Sequence, residues 1–138
     1  MQVREIMTHD VKLADPAMTL RDAAILMRDC DCGILPVGEN DRLVGTITDR
    51  DITIRAVAHG KNPNETAVGD AMSDKVRYCF DDQSVDEAAA LMRHAQIRRM
   101  PVLNREKRLV GIVALADFAT KCGDEHVVSD ALSGISAH

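Results

Sequence analysis

The sequence predicts an α+β fold that is built twice, from two similar halves that fold against each other. The chain has 138 residues, of which 46% are hydrophobic and 28% charged. That composition can bury one core of ordinary size, or two small halves that share one. Two observations carry the prediction: a long internal repeat, and the same order of helix and strand signals in each copy.

The internal repeat consists of blocks that recur in order at a nearly constant displacement. The segment Thr19–Arg28 returns 65 residues later as Ser84–Arg93. Three shorter blocks return with it: Ile6-Met7-Thr8 as Ala71-Met72-Ser73, Ile34-Leu35-Pro36-Val37 as Arg99-Met100-Pro101-Val102, and Arg42-Leu43-Val44-Gly45 as Arg108-Leu109-Val110-Gly111. We therefore divide the chain into residues 1–62, residues 63–123 and a polar tail, 124–138.

Each half carries signals for a helix, two strands joined by a turn, and a second helix. Thr19-x-x-Asp22 and Ser84-x-x-Glu87 resemble capping boxes, and apolar residues follow them at helical spacing. The next signals are two β-type runs, the first containing proline. The runs are Ile34–Val37 and Leu43–Thr48, then Met100–Leu103 and Leu109–Ala114; second helices are predicted at Asp49–His59 and Leu115–Lys121.

Composition argues against several classes of partner. The formal net charge is −5 and aromatic residues make up only 2% of the chain, so the overall field repels nucleic acid and anionic membranes, and stacking platforms for bases are scarce. The polar stretch Met1–Met7 is not an export signal, and no apolar run reaches the length of a membrane span. We expect a cytoplasmic protein that contacts neither nucleic acid nor membrane.

The cysteines and histidines give weak signals. Cys30, Cys32, Cys79 and Cys122 form no C-x-x-C pair, and a reducing compartment disfavours structural disulfides, so we interpret them as small core residues. Cys30-x-Cys32 could also hold a soft metal or form a redox pair, although no supporting ligand lies at a suitable spacing. The histidines show no metal-binding spacing and are expected at the surface: His9, His59, His94, His126 and His138.

The strand-to-helix junction of the first half is the strongest candidate site. Thr48-x-x-Asp51 can be read as a helix cap. Thr48 would accept a hydrogen bond from an unpaired backbone N–H, and the negative charge of Asp51 would lie at the positive end of the helix dipole. The same pair could grip a ribose, with the carboxylate accepting from both sugar hydroxyls while the helix start favours a phosphate. At the matching junction of the second half, Ala114 replaces the hydroxyl residue and Asp117 remains.

These motifs together resemble the cystathionine-β-synthase (CBS) repeat, over the chain up to about Cys122. The resemblance implies two βαββα repeats packed by pseudo-twofold symmetry into one CBS-pair (Bateman) module. It also implies regulatory binding of an adenine nucleotide, with no catalysis and no catalytic cofactor. AMP is the ligand expected first, and ADP, ATP or NAD are also possible. S-adenosylmethionine contains the same ribose and adenine. It further implies a homodimer through the helices and a separate effector protein.

The resemblance also assigns roles to individual residues. Asp51 would bind the ribose hydroxyls and Thr48 the ribose or phosphate. The first strand of the second repeat, near Val76, Arg77 and Tyr78, would flank the adenine. The basic pair Arg98-Arg99 would suit phosphates, and Pro101 of the Pro-Val strand that follows is also expected at the site. The alternative interpretation of the pair is a solvated charge pair at a helix exit.

Three interpretations of function remain open at this point. The first is the nucleotide sensor, with one competent site at Thr48 and Asp51 and a weakened or empty one at Asp117. The second is a redox- or metal-responsive stress protein that uses Cys30, Cys32 or Cys79. The third is a nucleotide hydrolase, for which the sequence offers carboxylates at Asp49 and Asp51 but no activated nucleophile.

Overall fold

Two compact units make up the chain in a computed structural model that describes residues 1–119. The continuous unit is Lys12–Val76, and the split unit joins Met1–Val11 to the described residues from Arg77 to residue 119. The units therefore do not coincide with the sequence repeats, because each repeat places its first segment in the other unit. Several features of the sequence analysis lie outside the described residues: Cys122, His126, His138 and the tail 124–138.

The long helices lie where the capping boxes predict them. Helix α1, Leu20–Cys30, begins where Thr19 Oγ1 accepts the Asp22 N–H at 3.2 Å. Helix α3, Val85–Ala95, begins where Ser84 Oγ accepts the Glu87 N–H at 3.1 Å. Both satisfy orphan backbone donors of a first helical turn. None of the helices within residues 1–119 is long and apolar enough to cross a membrane.

The continuous unit has a two-stranded antiparallel hairpin. Strand β1, Ile34–Glu39, pairs with β2, Arg42–Thr48, and helix α2, Asp49–Arg55, follows at once. A short 3₁₀ helix, Val57–His59, completes the second helical segment that the sequence predicts. The first strand expected of a repeat is reduced here to one parallel bridge, from Ala14 to Val37 in β1.

The split unit repeats this layout with a complete third strand. Strand β3, Cys79–Phe80, runs parallel to β4, Arg99–Leu103, which pairs antiparallel with β5, Leu109–Ala114. Helix α4, Leu115–Asp117, follows β5. The predicted continuation of this helix to Lys121 extends beyond the described residues.

The expected position of the first strand in this half, near Val76–Tyr78, is wrong by a few residues. Cys79 and Phe80 are the residues that lie opposite Val102 and Leu103 of β4. The strand therefore begins only where the chain reaches its pairing partners.

Each hairpin is extended by a short edge segment taken from the other sequence repeat. In the continuous unit, Thr46 and Ser73 exchange two backbone hydrogen bonds of 2.9 Å. In the split unit, Thr8 and Ile112 exchange the equivalent pair at 2.8 and 3.0 Å. The recurring blocks Ile6-Met7-Thr8 and Ala71-Met72-Ser73 are therefore edge segments that complete the two sheets.

Two glycines permit the edge segments to approach. A Cβ at Gly45 would lie 2.7 Å from the Ser73 carbonyl oxygen and 2.8 Å from Met72 Sδ. A Cβ at Gly111 would lie 2.9 Å from the Thr8 carbonyl oxygen and 2.6 Å from Met7 Sδ. Because a backbone oxygen cannot swing aside, any side chain at these positions would push the edge segment off the hairpin.

Both cores consist mainly of aliphatic and small side chains. Leu20, Leu35 and Ile47 are fully buried in the continuous unit, and Met92 and Phe118 are fully buried in the split unit. Cys79, in β3, is 1% exposed, which confirms it as a core residue. Its burial, with a smaller contribution from the negative charge of Asp81, raises the pKa of the thiol from 9.0 to about 12.

The close approach at Gly45 predicts that a single methyl group destabilises the continuous unit. We expect Gly45→Ala to lower the free energy of unfolding by about 2 kcal/mol, because the added Cβ overpacks against a carbonyl oxygen. Gly38→Ala is the matched control, since its Cβ would meet only ordinary contacts, 3.4 Å to Leu13 and 3.6 Å to the Arg42 oxygen. Urea unfolding measures both; equal losses in the two variants would contradict the steric account.

The buried thiol of Cys79 predicts a loss of stability in alkali. The unfolded chain releases the thiol proton near the ordinary pKa of 9.0, whereas the folded chain holds it until about 12. The free energy of unfolding should therefore fall as the pH rises between these values. We expect the slope in this window to be steeper in the wild type than in Cys79→Ala, by up to about 1.4 kcal/mol per pH unit. Parallel slopes in urea titrations would show that Cys79 does not contribute.

Candidate functional site

The junction between β2 and α2 forms the corner that the sequence singles out. Thr48 Oγ1 accepts the Asp51 N–H at 2.9 Å, and Asp51 Oδ2 accepts the Thr48 N–H at 3.0 Å. This is a reciprocal capping box, so the cap interpretation of Thr48 and Asp51 is confirmed. The Asp49 N–H donates to the Gly33 carbonyl at 3.0 Å and ties the corner to the chain entering β1.

Asp51 keeps acceptor capacity beyond its cap. Its side chain is 16% exposed, and its second oxygen, Oδ1, lies 3.8 Å from Arg55 Nε, four residues along the same helix. The Arg55 guanidinium is itself fastened by donating to the carbonyls of Ala71 and Met72 at 3.2 and 3.1 Å. A carboxylate can accept about four hydrogen bonds. Asp51 therefore combines a fixed orientation with oxygen lone pairs that a ligand can use.

The matching corner of the split unit is built with one contact fewer. Asp117 Oδ2 accepts the Ala114 N–H at 2.8 Å, as Asp51 does for Thr48. Ala114 has no side-chain oxygen that could accept a hydrogen bond from the Asp117 N–H. The Leu115 N–H donates to the Arg98 carbonyl at 3.0 Å, which matches the bond from Asp49 to Gly33. The backbone N–H groups of the two corners thus make matching hydrogen bonds, but the corner of the split unit lacks the threonine hydroxyl.

The residues expected to flank an adenine lie where the chain passes from one unit to the next. Val76 ends the continuous unit, and Arg77 and Tyr78 belong to the split unit. Val76 and Tyr78 are half-buried and Arg77 is exposed. The Tyr78 ring meets the Phe80 ring edge-on, with centroids 5.6 Å apart. This contact orients Tyr78 just ahead of β3.

The predicted phosphate-binding pair, Arg98-Arg99, and the expected site residue Pro101 lie in the split unit at the start of β4. Arg98 is exposed, Arg99 is half-buried and lies opposite Ala114 in the β4–β5 pairing, and Pro101 is buried in the strand. Arg99 and the Asp117 corner therefore occupy the same end of this hairpin. Among the described residues, no hydrogen bond or ion pair involves the guanidinium groups of Arg98 and Arg99.

The cysteines of the first half depart from expectation. Cys30 and Cys32 form a disulfide, which is the alternative interpretation of Cys30-x-Cys32, and are not the free core cysteines expected first. Asp31, between them, adopts a left-handed conformation with φ of 52°, and the two Cα atoms lie 5.4 Å apart, within bonding range. Both cysteines are only partly buried.

Metal-binding and reactive-thiol sites find little support within residues 1–119. No group of three or more His, Cys, Asp or Glu side chains there could hold a metal ion. His9, His59 and His94 are exposed, as expected. The raised pKa of Cys79 keeps its thiol protonated at neutral pH, so Cys79 is a poor metal ligand and nucleophile.

Two contributors to the site were missed in the sequence. Arg55 anchors the corner through the edge segment, and Gly33 supplies the carbonyl that fixes Asp49. The spacing of Asp51 and Arg55, i to i+4 on a predicted helix, was a readable signal for an ion pair. The role of Gly33 depends on strand register and left no such signal.

Comparison with known proteins supports the repeat interpretation. The family model described as "CBS domain" matches twice, at residues 3–57 and 68–123. Hypoxic response protein 1 of Mycobacterium tuberculosis is 40% identical over 126 residues, which cover 91% of this chain and 87% of that protein.

Solved structures share the fold. A crystal structure of Hypoxic Response Protein I with two coordinated zinc ions matches with a TM-score of 0.79 and 39% identity, over 88% of this chain and 98% of that one. The CBS domain pair of protein MJ0100, in complex with 5′-methylthioadenosine and S-adenosyl-L-methionine, matches with a TM-score of 0.74 and 27% identity, over 89% and 96%. The sequence repeats, the strand-to-helix corners and these matches agree that the chain belongs to the CBS domain family, as a pair of CBS domains.

Proposed function

We propose that the chain is a regulatory module that binds an adenosyl ligand through the Thr48–Asp51 corner. The observation that carries the proposal is the fixed carboxylate of Asp51, which has one oxygen in the cap and the other 3.8 Å from Arg55. The CBS pair of MJ0100, which shares the fold, binds two adenosyl compounds. What those ligands have in common is the adenosine that such a corner would recognise.

The chemistry of the corner suits a ribose better than a phosphate. A ribose offers two neighbouring hydroxyl donors, and a carboxylate held from behind by a backbone N–H can accept both. Because Asp51 is already oriented by Thr48 and anchored through Arg55, little side-chain entropy remains to be lost when a ligand binds. Phosphate groups would need cations, a role for which Arg98 and Arg99 remain the predicted residues.

The two corners predict unequal binding. Thr48 supplies a hydroxyl that can turn toward a ligand, and Ala114 supplies none. We infer that the Asp51 corner is the competent site and that the Asp117 corner binds weakly or not at all. AMP stays first among the expected ligands, with ADP, ATP, NAD and S-adenosylmethionine behind it. The homodimer and the separate effector protein also stay predictions.

A redox- or metal-responsive role is the second candidate, supported by the Cys30–Cys32 disulfide and by the zinc ions in the relative's structure. The raised pKa of the buried Cys79 thiol argues against a part for Cys79 in such a role. A stoichiometric zinc content in purified, chelator-washed protein would favour the metal form of this role over the nucleotide sensor.

Substitution of Asp51 separates the ligand role from the cap. We expect Asp51→Asn to weaken adenosyl binding by about 10- to 100-fold, since a hydrogen bond to a charged acceptor contributes about 1.5–3 kcal/mol. The thermal midpoint should hardly change, because the Asn oxygen still accepts the Thr48 N–H. Isothermal calorimetry against AMP, ADP, ATP, NAD, 5′-methylthioadenosine and S-adenosylmethionine measures the binding.

The matched control is Asp117→Asn, which makes the same change at the corner that lacks the hydroxyl. It should leave affinity and stoichiometry close to the wild type, near one ligand per chain. Equal losses in the two variants would overturn the assignment of a single competent site. Unchanged binding in Asp51→Asn would reduce the Thr48–Asp51 corner to a helix cap.

A further inference from the structure

The Cys30–Cys32 disulfide closes the turn at the end of α1. In this turn the Asp31 N–H donates to the Arg28 carbonyl at 3.3 Å, and the Cys32 N–H donates to the Met27 carbonyl at 3.0 Å. These two bonds are the Schellman pattern that commonly terminates helices. The disulfide is therefore added to a turn that already has its hydrogen bonds.

The second repeat forms the same turn without cysteines. At the end of α3, the Gln96 N–H donates to Arg93 at 3.3 Å and the Ile97 N–H to Met92 at 3.1 Å. Gln96 has φ of 57°, against 52° for Asp31. Ala95 and Ile97 occupy the positions of the two cysteines. The helix end of the second repeat thus forms without a disulfide. The same turn at the end of α1 therefore does not require one.

An open cavity of about 450 Å³ gives access to one of the two cysteines of the disulfide. Residues of α1, the turn and α2 line it, including Arg28, Asp31, Cys32 and Asp49. Both cysteines pack against the apolar cluster of the continuous unit, but Cys30, in the last turn of α1, is not part of the lining. A small molecule that enters this cavity therefore reaches Cys32 first.

The cavity carries negative charge. Asp31 and Asp49 contribute two carboxylates to its lining, and Arg28 contributes the one cation that the described part of the chain places there. The Arg28 guanidinium also binds Asp29, with Nε 3.0 Å from Oδ1, so its charge is partly offset. A cationic molecule is favoured in this cavity over an anionic one of the same size.

We propose that the Cys30–Cys32 disulfide is a thiol-exchange site, attacked at Cys32 by small cationic or neutral thiols that enter this cavity. The thiolate of the small molecule attacks Cys32 Sγ, a new mixed disulfide forms, and Cys30 leaves as a thiolate that takes a proton from water. A second small thiolate attacks the small-molecule sulfur of the mixed disulfide, a small-molecule disulfide forms, and Cys32 leaves as a thiolate that takes a proton from water. Two thiols thus supply the two electrons that convert the pair to free cysteines.

The charge of the attacking thiol provides the test. The folded wild-type protein is treated with cysteamine, 2-mercaptoethanol or 2-mercaptoethanesulfonate, quenched with an alkylating agent and mapped by mass spectrometry. Each rate is divided by the rate on urea-unfolded protein, which removes the intrinsic reactivity of the thiol. We expect this ratio to be roughly fivefold higher for cysteamine than for the sulfonate at low ionic strength. In about 0.5 M salt the difference should shrink, because charges are screened within a few ångströms.

Two sets of variants make the outcome decisive. Asp31→Asn keeps a residue that tolerates the left-handed conformation, and with Asp49→Asn it should bring the three ratios together. Cys30→Ala with Cys32→Ile copies the turn of the second repeat and should keep the far-UV circular dichroism of the wild type. Equal ratios for the three thiols, or mixed disulfides found mainly on Cys30, would overturn the proposal. Loss of α1 in the double cysteine variant would instead make the disulfide structural.

Discussion

The backbone pairing of an edge segment with a glycine-bearing strand is the interaction on which both units depend. A chain with 2% aromatic residues and no tryptophan cannot fill its core with large rings. It gains burial instead by bringing backbones and small side chains close together. At Gly45 and Gly111 this approach leaves no room for a Cβ, and the methionine ahead of each paired residue reaches over the strand. The position of the edge segment and the packing of the core therefore depend on each other.

The Thr48–Asp51 corner, which we propose as the binding site, is also a structural device. The reciprocal cap holds the carboxylate in one orientation, and Arg55 links that carboxylate to the edge segment at Ala71 and Met72. Anything that draws Asp51 toward a ligand therefore also acts on Arg55 and on the segment that completes the hairpin. Such a link gives a bound ligand a physical route to the packing of the continuous unit.

Much of this architecture could be predicted from the sequence, because the information was local. Capping boxes at Thr19 and Ser84 located the helices, and pairs of apolar β-type runs separated by a polar turn located the hairpins. The crossing of edge segments was not predicted, since pairing Thr8 with Ile112 depends on contacts more than a hundred residues apart. The disulfide was missed for another reason: nothing in the letters Cys-Asp-Cys shows that Asp31 adopts a left-handed conformation.

The division of the chain into a continuous and a split unit also bears on the order of folding during synthesis. Lys12–Val76 contains every segment of the continuous unit, so this unit can close as soon as its last residue leaves the ribosome. Met1–Val11 precedes this unit in the chain, whereas its partner strand β5 follows it. Met1–Val11 therefore cannot pair with β5 until after the whole of the continuous unit has been made.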